Sequence, residues 1–231
     1  FSAPDRPSSD GYTLVPDVQF EGGTQVKPRP DNPDTVGQIT LQGPIYGAGP
    51  ASRITIRPAS GKRVVMIGNG ASVLRLLDAS WVTIDGITNT PTATTSLTIR
   101  DAAPGAVGIL LEGNSDNNIV TRVQFWMPQN SGSAAIFLTN GTNGTPDNNR
   151  IGGTGLTTGN VIYSATDGIL IIGSSTAFPD GNTVPFNTIG SATDSLGELG
   201  VYNQQATNTQ INSNIIQNVR QAATNFNLAG I

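Results

Sequence analysis

The chain contains no cysteine and no histidine. The first absence removes disulfides and thiol chemistry. The second removes the side chain best suited to proton transfer near neutral pH, which is also the commonest metal ligand. Charge is scarce as well: Asp, Glu, Lys and Arg make up 12% of the 231 residues, against about 25% in ordinary globular domains. Twelve basic residues against sixteen acidic ones leave a net charge of −4. Nucleic acid is therefore excluded as a partner, because a phosphate backbone demands clustered positive charge. No apolar run approaches the ~18 residues of a membrane span. No stretch of ten or more residues keeps a 3.6-residue apolar period, so helix should be almost absent. The one exception expected is the short Asp101-Ala102-Ala103 segment, stopped by Pro104.

What fills the space is Gly (28 residues), Thr, Asn and Ser, the residues of turns and polar strand faces. Disorder is disfavoured by the small net charge and by many short runs of Ile, Val and Leu. Those runs belong to two recurring phrases. One is Gly-Ile with alternating apolar residues: Gly108-Ile109-Leu110-Leu111, Ala135-Ile136-Phe137-Leu138, Gly168-Ile169-Leu170-Ile171, Gly200-Val201-Tyr202 and a last, unfinished Ala229-Gly230-Ile231. The other is led by Asn: Asn117-Asn118-Ile119-Val120, Asn148-Asn149-Arg150-Ile151, Asn187-Thr188-Ile189 and Asn208-Thr209-Gln210-Ile211. Like phrases return roughly every 22 to 38 residues, the interval of structural repeats rather than domains.

Residues 1–35 are rich in Pro, Asp, Gly and Ser, with Pro28, Pro30 and Pro33 close together. Central strands exclude that density, so an irregular arm or cap is expected there, with one short strand near Tyr12-Thr13-Leu14-Val15. Strands are expected at Gln38–Leu41, Arg53–Ile56, Val64–Ile67, Val73–Leu77 and Trp81–Ile87, separated by Gly/Pro segments. Short strands with alternate apolar positions suit either an antiparallel sandwich or a parallel β-helix. Paired, repeating phrases favour the β-helix. So does Asn at strand edges, where it tolerates left-handed backbone and can bond to the same amide one coil away. Ile-x-Leu motifs that stack like on like point the same way.

Ser80-Trp81-Val82-Thr83-Ile84-Asp85-Gly86-Ile87 resembles the V-T-I-D-G strand of right-handed parallel β-helix proteins of the pectate-lyase-like superfamily. The Asn117-Asn118-Ile119-Val120 and Gly-Ile-x-Leu phrases are similar to the repeats of large secreted bacterial surface proteins. The resemblance covers roughly residues 36–231. It implies an all-β, single-stranded right-handed solenoid and an extracellular or cell-surface location. Residues 36–231 are expected to be incomplete at their C-terminal end, with self-association or continuation of the coil there.

The same superfamily contains polysaccharide lyases and glycoside hydrolases. This chain has no Gly-His-Gly loop, and Val82-Thr83-Ile84-Asp85 runs into Gly86 where classical lyases place a histidine. The residual enzymatic alternative is a lyase or epimerase using outer-face Asp, Glu and Arg, and calcium enters only with it. Counting from the shared Ile, the later counterparts of Glu112 are Thr139, Ile172 and Gln204, so Glu112 has no acid one coil away. Asp78, Asp85, Asp116, Asp147, Asp167, Asp180 and Asp194 sit beside turn residues. Arg53, Arg57 and Arg63 read as a solvated strand face. Gly68-Asn69-Gly70 and Gly152-Gly153-Thr154-Gly155 open no helix, so they are turns rather than phosphate cradles.

No catalytic, cofactor or metal residue is assigned. Candidate glycan or partner contacts are Trp126, Arg122 and Glu112. Phe125 and Trp126 must face opposite ways on a strand, which leaves Trp126 either outward beside Arg122 or packed under the following loop. Asn140 and Asn143 open overlapping glycosylation sequons. The leading expectation is a non-enzymatic extracellular scaffold, adhesin or filament component that makes polar multivalent contacts, with polysaccharide as a candidate partner.

Overall fold

The computed structural model describes residues 17–20, 25–26, 38–58, 63–68, 71–86, 96–129, 132–194 and 196–219. The strand expected at Tyr12–Val15 and the closing phrase Ala229-Gly230-Ile231 lie outside these residues. Among the described residues there is no helix, and every strand-to-strand ladder is parallel.

The chain returns alongside itself every three strands. The first return comprises β1 (Asp17–Phe20), β2 (Gln25–Val26) and β3 (Ile39–Gln42), the second β4 (Ile54–Pro58), β5 (Val64–Ile67) and β6 (Ser72–Leu77). Next come β7 (Val82–Asp85), β8 (Leu97–Arg100) and β9 (Val107–Glu112), then β10 (Ile119–Thr121), β11 (Val123–Trp126) and β12 (Ala134–Thr139). The fifth coil has β13 (Arg150–Ile151) and the long β14 (Val161–Ile172), the sixth β15 (Thr183–Pro185), β16 (Thr188–Ile189) and β17 (Leu196–Gln204). β18 (Gln210–Asn212) and β19 (Ile215–Ile216) follow. Each strand pairs with its counterpart one coil away. The result is a seven-stranded sheet, β1-β4-β7-β10-β13-β15-β18, and a twelve-stranded one. The larger sheet is two ladders joined by β14, whose first residues pair with β11 and β16 and whose later ones pair with β12 and β17. Curled parallel sheets of this kind support a solenoid. β1 and β2 carry the first two ladders into the proline-rich segment 1–35.

Alternation sets the core. In β4, β5 and β7 every second residue is buried, and register then stacks like on like. Leu74, Ile109, Ile136, Ile169 and Val201 form one column; Leu76, Leu111, Leu138 and Ile171 form the next. All but Val201 are fully buried, at 0% exposure. Each such side chain contributes roughly 1.5–3 kcal/mol by leaving water. The second ladder stacks Met66, Ile99, Phe125, Ile162 and Ile189. The two repeating phrases therefore mark only part of a coil that has three strand positions.

Corners repeat as faithfully as strands. Trp81, Asn117, Asn148 and Asn208 all have positive φ just before a strand of the first ladder, and Gly181 takes the same position in its coil. Asn is the non-glycine residue that best tolerates this conformation. The neighbouring asparagines turn inward and bond along the axis. The N–H of Asn118 donates to Asn149 Oδ1 (2.8 Å), and the N–H of Asn149 to Asn182 Oδ1 (2.9 Å). A second column links Asn160 to Asn187 (3.1 Å) and Asn187 to Asn214 (2.8 Å). Asn118, Asn149, Asn160, Asn182 and Asn187 are buried, so these bonds satisfy groups that would otherwise be costly to bury. The expected amide-to-amide bonding between coils is observed. The Asp101–Ala103 segment is not helical: Asp101 Oδ1 accepts the Ala103 N–H (2.8 Å) and closes a turn.

Candidate functional site

Three of the acids stand in line along one corner. Ser80, Asp116, Asp147, Asp180 and Thr207 occupy one corner position in five successive coils, separated by 36, 31, 33 and 27 residues. Ser80 Oγ accepts the Asp116 N–H (3.0 Å), Asp116 Oδ1 the Asp147 N–H (2.8 Å), and Asp147 Oδ1 the Asp180 N–H (2.8 Å). Asp180 Oδ1 accepts from the Thr207 hydroxyl and the Asn208 amide, both at 2.7 Å. Those two donors hold the Asp180 carboxyl below its ordinary pKa. Burial pushes Asp116 upward, the Asp147 N–H opposes it, and the charges of Asp147 and Asp78 add to the rise. Each carboxylate oxygen named here is occupied by a donor in the following coil. No group of three or more Asp or Glu among the described residues is placed to hold a metal ion.

Several other charged side chains are bound coil to coil. Arg75 bonds Glu112 Oε2 through Nε (2.9 Å) and Nη2 (2.6 Å). Arg122 forks onto Asp85, Nε to Oδ1 at 2.8 Å and Nη2 to Oδ2. Asp78, at a positive-φ corner, accepts the Asn114 N–H (3.0 Å) and the Asn143 amide (2.7 Å). Asp167 departs from the turn reading: it lies inside β14, 8% exposed, with Oδ1 unpartnered. Burial first, then the charge of Glu198, pushes it up to about 6, against the Leu199 N–H. Arg53 also departs from its expected solvated role. Its Nε bonds Thr83 Oγ1 (2.9 Å), its Nη2 the carbonyls of Val82 (3.2 Å) and Asn117 (2.5 Å), and its guanidinium lies 5.6 Å from the Trp81 ring centroid.

The three candidate contact residues fall in different places. Glu112 ends β9 and is tied to Arg75, while Arg122 holds a corner and is tied to Asp85. Trp126 closes β11 facing outward, 39% exposed, opposite the fully buried Phe125. It stacks on Tyr163, with centroids 4.4 Å apart and planes at 17°, where a register shift in β14 displaces the pairing. Arg100, exposed, pairs with Trp126 in the register. Asn140 and Asn143 have their amides engaged, donating to Ala177 O (2.9 Å) and to Asp78 Oδ2 (2.7 Å).

No protein-family model, curated protein or solved structure matches this chain. Its chemistry is therefore read from its own side chains. The Asp column was visible as a longer phrase than the Asn-led one: Asp116-Asn117-Asn118-Ile119-Val120, Asp147-Asn148-Asn149-Arg150-Ile151 and Asp180-Gly181-Asn182-Thr183-Val184. One acid, one left-handed residue, one inward amide and then the strand recur in each. The Trp126–Tyr163 platform, with Arg100 beside it, presents aromatic faces outward, and Arg53 lies on the outer face of the seven-stranded sheet.

Proposed function

We propose that the chain is a right-handed, single-stranded parallel β-helix that acts as a non-enzymatic extracellular scaffold, of the cell-surface, adhesin or filament kind. The observation that carries this reading is the commitment of Asp116, Asp147 and Asp180 to holding one coil to the next. Carboxylate oxygens that already accept donors from the next coil are engaged in holding the stack, and removing them from that duty would loosen it. Parallel crossovers favour the right hand, which agrees with the resemblance carried by Val82-Thr83-Ile84-Asp85-Gly86. Six steps of roughly 4.8 Å separate β1 from β18, a rise of ~29 Å that a rigid spacer exploits. Among the described residues β18 and β19 have no strand on their far side, and Ile215 is 43% exposed there, which suits self-association.

The test incubates the protein with neutral and acidic polysaccharides, following new reducing ends, unsaturated products and binding. Binding without turnover is expected. Turnover that is abolished by Asp147→Asn in a folded variant would overturn the scaffold reading.

A further inference from the structure

The outer face of the seven-stranded sheet carries Arg53, Arg57 and Arg150, and no acid is bonded to Arg53 or Arg150. Register aligns Thr55, Thr83, Ile119, Arg150, Thr183 and Gln210 in a single outward column. Arg53 reaches onto that column from the preceding corner, fixed by Thr83 Oγ1 and the two carbonyls and lying over Trp81. Those bonds use Nε and Nη2 and leave Nη1 without a hydrogen-bond partner among the described residues. Arg150 lies one coil past Ile119 with its N–H bonded to Asn118 O (2.8 Å), and Arg53 Nη2 reaches the adjacent Asn117 O (2.5 Å), which brings the two like charges toward each other. Its Nε is shielded from solvent and has no hydrogen-bond partner.

Two guanidinium groups brought toward each other repel, and a shielded N–H without an acceptor is itself unfavourable. The repulsion is relieved if an oxyanion accepts from Arg53 Nη1 and the outer nitrogens of Arg150 at once, since planar guanidinium forks match carboxylate, sulfate and phosphate oxygens. The threonine hydroxyls on either side add donors and acceptors along the same line. We propose that Arg53 and Arg150, with Thr83 between their coils, form an oxyanion-binding site on this face that takes the sulfate or carboxylate group of an acidic glycan. The site does not depend on the chain being a scaffold.

The chain has two tryptophans, so Trp126→Phe leaves Trp81, beneath Arg53, as the only indole. In that background, at constant ionic strength, the protein is titrated with sodium sulfate, dextran sulfate and neutral dextran, following Trp81 emission and heat. Sulfate or dextran sulfate should change the emission where chloride and neutral dextran do not. Arg150→Gln should weaken the response roughly tenfold or more, the loss of one charge-assisted bond, with the circular dichroism unchanged. Arg150→Lys, which keeps the charge, should retain part of it and covers the case in which the glutamine variant does not fold. A response to dextran sulfate alone assigns the site to a polymer; a response to both assigns it to the oxyanion itself. No sulfate-specific response, equal binding of neutral dextran, or undiminished binding by a folded Arg150→Gln variant would each overturn the proposal.

Discussion

Asp167→Asn should stabilise the protein at neutral pH. Asp167 lies in the middle of β14, 8% exposed, with one carboxylate oxygen lacking a partner and Glu198 close enough to repel it. Its pKa rises from 3.8 to about 6 on folding. Between those values the native chain holds a proton that the unfolded chain has already released. Stability therefore falls as pH rises through that window. Each unit is worth ~1.4 kcal/mol, so the loss is about 3 kcal/mol by pH 7. An amide of the same shape never ionises and carries no such loss. Urea unfolding of both proteins at intervals from pH 4 to pH 7.5 gives the comparison. The difference in unfolding free energy should be near zero at the acid end, grow between pH 4 and 6, and level off at about 3 kcal/mol in favour of the variant. Subtracting the two curves cancels the contributions of Asp116 and Asp180. A variant less stable than the parent at pH 7, or a difference independent of pH, would refute the reasoning. The carboxylate would then have a favourable partner in the folded state.

Two further substitutions probe the stack. Asn187→Ala strips Asn160 of its acceptor and Ile151 O of its donor. At roughly 1–3 kcal/mol per orphaned group, it should cost about 3–5 kcal/mol in urea unfolding. Asn214→Ala, one coil further along and half-buried, should cost markedly less, and equal losses would count against burial as the source. Gly159→Ala would place a Cβ 1.7 Å from Phe186 O, whereas at Gly155 nothing lies within 4 Å. The first change should lower the melting temperature by an amount corresponding to at least ~2 kcal/mol, the second by almost nothing. A tolerated Gly159→Ala would mean that the coils are spaced more widely than described.

Much of the repeat was legible in the letters. The alignment counted from the shared Ile, Glu112 to Thr139 to Ile172 to Gln204, is the register the strands adopt. The Asn-led phrases fall at corners and the Gly-Ile phrases on the third ladder. The second ladder was harder to see as a repeat because Met66, Ile99, Phe125, Ile162 and Ile189 share a column but no common letter. Asn187 was grouped with Asn117 and Asn148 although it belongs to the second ladder, since both corners need the same inward amide. Asp167 read as a turn residue because Gly168 follows it. That glycine has another cause: a Cβ there would meet Gly200 O at 2.3 Å, so the next coil's backbone, rather than a bend, requires it. The partnership of Arg53 with Trp81, one coil on, and the proximity of Arg150, three coils on, arise between coils, where loop lengths that vary from turn to turn hide the alignment.

The buried asparagines have a consequence beyond satisfying polar groups. In both columns the backbone N–H of the earlier coil donates to Oδ1 of the later one. Nδ2 of the later coil donates back to a carbonyl of the earlier coil, so these side-chain amides point the same way along the axis. Along the aspartates the sense is reversed, with the later coil's N–H donating backward. The stack is thus a vector, with amide dipoles aligned along one corner and carboxylates answering along another. Its two faces across the axis are chemically unlike, as the two ends of a magnet are. A further coil continues these columns only if its chain runs in the same sense; an inverted one would leave the inward amides without the N–H and carbonyl they meet in the described coils.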